Sequence, residues 1–419
     1  MRPSNISMTL VLAISATGAF AQDRGAVVAT YADIAEAAYS DSLLTAKALQ
    51  SAVKTLIATP SEESLADARL AWLAARVPYM QTEVYRFGNP IVDDWEGKLN
   101  AWPLDEGLID YVAPGYFGSQ ENDQAELNVI ANPEFMLSGK KIDAREITAD
   151  LLSNVLQEAD QNEANVATGY HAIEFLLWGQ DLVSDAPTAG QRPYTDFVQG
   201  AGCTGGNCDR RAQYLSVATD LLVTDLEWMV GQWGKTGPAR LAVTDNPDLG
   251  VAAILTGIGN LSYGEMAGQR VKLGLILHDP EEEHDCFSDN TPASHHFDVL
   301  GMHNVYTGTY RRIDGTVVSG PSLQNIVAEK DPALAKALDT ELNTTLASTQ
   351  ALRDAAAAGM SYDMMLQVGN AKGEAMITAV VDNLVAQSRS VERISSVLDL
   401  SGVVLEGDST LDAAGEVFK

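Results

Sequence analysis

The sequence predicts an all-α protein built from two helical bundles. Three observations carry that reading. Long Ala-rich stretches in both halves place apolar residues at helical spacing. Between them lies one long irregular loop in each half, rich in Gly, Pro and polar residues. Hydrophobic residues fill 46% and charged residues 20% of 419 positions, enough apolar material for two cores of ordinary size.

The chain opens on a leader. Arg2, the apolar run Met8 to Phe20 and the triplet Ala19-Phe20-Ala21 have the form of a secretory signal peptide over residues 1–21, cut after Ala21. No Cys follows that run, which argues against a lipid anchor there. No later run reaches the ~20 apolar residues that a spanning helix needs. The mature chain is therefore expected to be soluble and exported, most simply to a bacterial periplasm. A net charge of −30 repels nucleic acid and anionic membranes, which are set aside as partners. It attracts cations, but without selectivity.

The first bundle is expected over residues 22–185. Ile34, Ala37, Leu43, Leu44, Ala48, Val53 and Ile57 form one helical stripe. Pro60-Ser61-Glu62-Glu63 ends it and starts a second helix, with Ser61 as N-cap and acids in the first turn. That helix is expected to run through Leu70, Trp72 and Tyr79 to Phe87, kinked at Pro78 and stopped by Gly88-Asn89-Pro90. It carries Arg76, Gln81, Glu83 and Arg86, which form either a solvated face or a buried polar site. Residues 88–145 are irregular and cover a site or wrap a core. Helical spacing returns at 147–158 and again at about 163–179.

This last helix is mostly apolar, yet it holds His171 and Glu174 at i and i+3, where both side chains can approach one point. The pair could ligate a metal or form a buried hydrogen-bonded pair. Residues 186–209 resemble a linker and contain Cys203 and Cys208 around Thr-Gly-Gly-Asn. A disulfide suits an oxidising compartment, with two free thiols or half of a zinc site as alternatives.

The second bundle is expected over 210–400, with helices at 210–233 and 249–277. The latter is rich in Gly around Tyr263, Glu265 and Arg270, which suggests close backbone approach. Residues 278–308 are expected as a polar loop that holds five of the six histidines. Asp314-Gly315 suggests a small β-hairpin between Tyr310 and Ser319. Helices follow at 322–330, 332–358 and 363–400, with a loose tail over 401–419. The two halves have similar layouts, consistent with a pseudo-duplication.

Hydrolytic signatures are missing: there is no His-Glu-x-x-His, no Gly-x-Ser-x-Gly, no Walker loop and no dinucleotide fingerprint. Cys286 sits among Glu281, Glu282, Glu283 and Asp285, whose like charge disfavours a thiolate nucleophile. Metal binding fits better. His171 and Glu174, with Glu83 or Asp105 opposite, would give one imidazole and two or three carboxylates, a set suited to iron, manganese or zinc. A buried Glu–Arg–His network is the alternative.

Gly169-Tyr170-His171-Ala172-Ile173-Glu174, followed by Trp178-Gly179, resembles the GxHxxE motif of the imelysin family. Arg76-Val77-Pro78-Tyr79, Trp102-Pro103-Leu104-Asp105-Glu106-Gly107, Cys286-Phe287-Ser288-Asp289-Asn290-Thr291 and Gly301-Met302-His303-Asn304 resemble its iron-regulated protein A branch. The resemblance implies an exported bacterial protein of two helical bundles linked to iron acquisition. It would bind iron or another divalent metal, zinc included, and engage an outer-membrane or periplasmic iron-uptake component. It also implies an alternative, a metal-dependent peptidase acting through Glu174 and His171; a scaffold that binds a peptide or partner without metal is a third reading. By matching position, His171 and Glu174 would be the metal pair, with Glu83 as third ligand. Gly169, Arg76, Arg86, Asp105, Glu265, Arg270, Ser288, Asp289 and Asn290 would line the site. The chain departs from the pattern at Pro292 and Ser294, where His and Asp are expected; His295 and His296 lie close by.

Overall fold

The computed structural model describes residues 23–116, 118 and 122–413. The signal peptide expected over 1–21, and the end of the expected tail, lie outside the described residues. Among the described residues 64% are helical and the only sheets are two small two-stranded ones, so the fold is all-α. No helix among the described residues is long and apolar enough to cross a membrane.

Helix α1 (Arg24–Ala58) starts at Asp23, whose carboxylate caps Gly25 N–H, and it buries one face from Val27 to Leu56. Helix α2 (Glu62–Met80) begins at the expected Ser61 cap, which Ser64 reciprocates. It stops at Met80, short of Phe87. Pro78 has no N–H for the carbonyl of Ala74, and two residues later the chain leaves α geometry. A 3₁₀ turn at Glu83–Tyr85 follows.

The irregular stretch beyond it holds α3 (Pro90–Glu96), α4 (Glu106–Ile109) and a ribbon of β1 (Glu134–Leu137) and β2 (Lys140–Asp143) that was not expected. Ser138 and Gly139 turn that ribbon with φ of 49° and 72°, the positive values that a tight hairpin requires. The helix expected at 147–158 is a wide π turn over Leu151–Leu156. Helix α5 (Gly169–Trp178) is buried on every side.

Cys203 and Cys208 are joined by a disulfide, and α6 (Cys208–Trp233) follows at once. The 210–400 boundary places α6 in the second bundle, but it packs along α1 and α5. The physical reason lies in the core: Trp233 meets Tyr31, Tyr39 and Tyr85 with ring centroids 5.4–6.4 Å apart. The first bundle is thus α1, α2, α5 and α6. Segment 186–209 is packed rather than free, since Arg192 and Asp196 are buried on Asp110 and Tyr111.

Helix α7 (Pro238–Thr244) leads into α8 (Pro247–Asn260), a π segment (Leu261–Lys272) and α9 (Leu273–Leu277), which together form one helical rod. The expected close approach is present. A side chain at Gly257 would collide with the backbone carbonyl of Val84. The polar loop ends earlier than expected, at Asn290, because Pro292 sits in the first turn of α10 (Thr291–Thr307), where its missing N–H costs nothing. Strands β3 (Thr309–Arg311) and β4 (Val317–Ser319) form the expected hairpin. Helices α11 (Leu323–Lys330), α12 (Pro332–Ala357), α13 (Tyr362–Leu366) and α14 (Ala371–Val397) follow.

The second bundle is the α8–π rod, α10, α12 and α14. Residues 401–413, expected as a loose tail, dock on that rod. Val404 N–H donates to Thr256, Glu406 N–H donates to Asn260, and α15 (Ser409–Asp412) lies against the π segment. The bundles meet where α2 crosses α10 and α1 crosses α8.

Candidate functional site

Helix α5 is placed by its first residue. Gly169 has φ of 81°, and a side chain there would strike the backbone of Leu99, whose carbonyl accepts Tyr170 N–H at 2.7 Å. One turn on, His171 Nδ1 lies 3.0 Å from Glu174 Oε2, and both side chains are fully buried. The other oxygen, Glu174 Oε1, accepts Ser288 N–H at 3.0 Å and the Ser288 hydroxyl at 2.6 Å. His171 Nε2 is buried and has no hydrogen-bond partner among the described residues. The ring of Trp102 covers this imidazole, 5.1 Å between centroids.

Arg76 of α2 takes the buried-site reading rather than the solvated one. It is 0% exposed, with its guanidinium 5.1–5.8 Å from the ring centres of Tyr170, Trp72 and Tyr79. It donates to Asp285 Oδ1 at 2.6 Å, Asp285 Oδ2 at 3.3 Å, Asn100 Oδ1 at 2.7 Å and His284 Nδ1 at 3.3 Å. Asn290 donates to Asp285 at 2.7 Å, and Ser294, where His or Asp was expected, donates its hydroxyl to the same carboxylate. His295 and His296 do not compensate for the departure. His295 packs on Tyr362 with neither ring nitrogen paired, and His296 bonds Thr349.

One donor atom each of His171, His284 and Asp285 lies within 4.8 Å of the others. Asp285 Oδ1 is 3.9 Å from His171 Nδ1 and 3.5 Å from His284 Nδ1. Two imidazoles and a carboxylate suit iron, zinc or manganese. The charge states fit as well. Burial, with Arg76 close by, holds His171 down at about 3, and burial with Arg270 pushes His284 well below its ordinary value, so both rings are neutral at pH 7. Burial raises Asp285, but the Arg76 guanidinium outweighs it and keeps this carboxylate ionised, well below the usual range. Burial and the neighbouring Asp285 push Glu174 well up. A cleft of about 620 Å³, lined by Asn100, Trp102, Glu265, Arg270, Glu282 and His284, reaches the site from outside.

The expected residues sort into three places. His171, Glu174, Arg76, Ser288 and Asn290 converge here behind Gly169. Glu83, Glu265, Arg270 and Arg86 form an adjoining ion network. Arg270 bonds Glu83 at 2.7 Å, Glu265 at 2.7 Å and Asp298 at 3.3 Å, while Arg86 reaches Glu96 and Glu265 at 3.5 Å. Glu83 is thus not in the group with His171. The 3₁₀ turn after Pro78 faces it toward the π segment, where Arg270 takes its charge. Asp105 is held by Tyr116 and Asn122, and Asp289 is grouped with Asp181 and Asp363 instead. The sequence reading missed His284 and Asp285 as partners of His171. The density of histidines around residues 278–303 was the available signal.

The profile of the imelysin family matches residues 35–391. Iron-regulated protein A of Synechococcus elongatus is 25% identical over 308 residues, covering 71% of this chain and 66% of that protein. The chain thus matches just under two thirds of that relative's length. A solved structure from Parabacteroides distasonis, described as a candidate iron-regulated protein A precursor, superposes with a TM-score of 0.65 at 19% identity. It covers 91% of this chain and 97% of its own, so the fold is shared.

Proposed function

The chain belongs to the imelysin family, and on that footing we propose that it is an exported, periplasmic protein that binds iron or another divalent metal beside the HxxE helix in the service of iron acquisition. His171, His284 and Asp285 are the ligands. Glu174 orients His171 through Nδ1, and Ser288 in turn fixes Glu174. Arg76 holds Asp285 and leaves it ionised. Once bound, the ion supplies positive charge to a pocket of neutral imidazoles and carboxylates. An outer-membrane or periplasmic iron-uptake component is the expected partner, reached through the cleft at His284.

The observation that carries this reading is His171 itself: a fully buried imidazole with an unpaired Nε2, in one cluster with a second imidazole and a carboxylate. A buried polar atom left without a partner is costly unless something completes it. The test is calorimetry with iron(II) and zinc, and elemental analysis, on the purified mature chain against His171→Ala/Glu174→Ala. The wild type is expected to hold one ion per chain more than the variant. Equal binding by both would end the reading. Glu174→Gln alone, which removes the orienting partner and not a ligand, is expected to weaken binding about 10–100-fold. Cleavage of an unfolded protein that disappears with Glu174→Gln would favour the peptidase instead.

A further inference from the structure

Behind the loop that carries His284, Asp285 and Ser288, carboxylates from three segments converge. They are Asp181 just beyond α5, Asp289 in the loop and Asp363 on α13, and one oxygen of each lies within 4.8 Å of the others. Glu283 joins them from the interior. It is 0% exposed, its carboxylate oxygens make no hydrogen bond of ordinary geometry among the described residues, and its carboxyl group is turned to those of Asp363 and Asp289, with the Thr291 hydroxyl nearby. Asp181 Oδ2 and Asp289 Oδ1 are also buried without partners. Among the described residues, none of these four acids forms an ion pair with Lys, Arg or His. A pocket of about 290 Å³, bounded also by Ser184, Asp279, Glu281 and Cys286, opens onto Asp181 and Asp363.

We propose that Asp181, Asp289 and Asp363, with Glu283 beside them, form a second cation site, for a hard divalent ion of the calcium type. The donor set is all oxygen, which selects against the softer metals suited to His171 and His284. The spacing selects by size. Oxygens up to 4.8 Å apart can share an ion at ~2.4 Å from each, the calcium distance, whereas magnesium at ~2.1 Å needs them closer. Burial, and the neighbouring acids, push Asp181 and Asp289 up to about 7, the mark of carboxylates crowded together without a counter-charge. The ion would clasp three pieces of chain: the segment leaving α5, the loop bearing His284 and Ser288, and α13.

The test uses the mature chain stripped with EGTA, titrated with calcium chloride and in parallel with magnesium chloride, and followed by calorimetry and thermal melts. One saturable calcium per chain is expected, weaker magnesium, and a rise in Tm of about 3 °C at a hundredfold excess over Kd. Asp181→Asn/Asp363→Asn is expected to lose both the heat and the shift, yet in EGTA to melt at or above wild type, since like-charge repulsion is gone. Asp143→Asn, on the exposed β2 strand, keeps both. Should the double variant fail to fold, Asp289→Asn is expected to weaken calcium binding at least roughly tenfold, as loss of one of three carboxylate ligands requires. No saturable heat up to about 10 mM calcium, beyond the range of extracellular sites, overturns the proposal. So does a calcium shift that survives these substitutions. Wild-type chain that gains stability in acid while ignoring calcium would show that the cage holds protons only, and would overturn it as well.

Discussion

Arg76 shows how one residue can set the character of a site. Its guanidinium is walled by three aromatic rings and satisfied by Asp285, Asn100 and His284. Arg76→Met keeps much of the apolar volume but leaves Asp285 buried with no counter-charge. The expected loss is about 3–5 kcal/mol, the range for breaking one side of a buried pair. Denaturant midpoints for wild type and variant measure it, and a loss below ~1 kcal/mol, as in a surface pair, would contradict the burial argument. At this scale the site was half legible. His171 and Glu174 are tied by helical spacing, and Arg76 is a charge on a core-like helix. Asp285 and His284 meet them only because a loop without periodicity folds back over α5, and local pattern does not encode that return.

At the scale of elements, backbone proximity decides what each helix can do. The α8–π rod passes so close to the 3₁₀ turn that Gly257 touches the carbonyl of Val84. Gly257→Ala improves helix propensity, yet it must push that turn, and Glu83 with it, away from Arg270. Overpacking is expected to win by about 1–3 kcal/mol. Equilibrium unfolding measures the balance; a stabilised variant would show that the turn yields freely. Gly264, nearer Tyr263 and Glu265, faces open space and Gly268 meets only the Asp408 side chain, while close backbone approach holds at Gly250 and Gly257 of this rod. Its π geometry was not readable, because i→i+5 and i→i+4 helices share residue types. Helix α10 was concealed by polar composition, although Thr291-Pro292 has the Pro-in-first-turn form of a helix start. The β1–β2 ribbon was lost among Pro and Trp, with Ser138-Gly139 as its one local signal.

For the whole molecule, the excess of acid is partly internal, and this gives stability a pH dependence. Burial together with Glu83 pushes Glu96 up to about 7, and burial does the same for Glu106. Unfolded, a glutamate titrates at ~4.3, so between the two values the folded chain keeps protons that the unfolded chain has released. Stability from these groups is present at low pH and is lost as pH rises through about 7. Buried His171 and His295, both held at about 3 mainly by burial, act in the opposite sense, but only below the unfolded histidine value of ~6.5. Above that value the carboxyls act alone. In chelator, Tm is therefore expected to fall from pH 6.5 to 8.5 by a few degrees, read by circular dichroism. A flat or rising Tm would mean that these acids are already ionised in the fold.

The contact between Trp102 and His171 has an optical consequence. If His171 ligates iron as proposed, an indole 5.1 Å from its ring lies well within range for quenching by a paramagnetic ion. Zinc, with its filled d shell, has no such effect. Tryptophan fluorescence should therefore drop on loading with iron and hold steady with zinc, and Trp102→Phe should remove most of the drop. On the proposed reading, the ring that covers the site would report which metal has entered it.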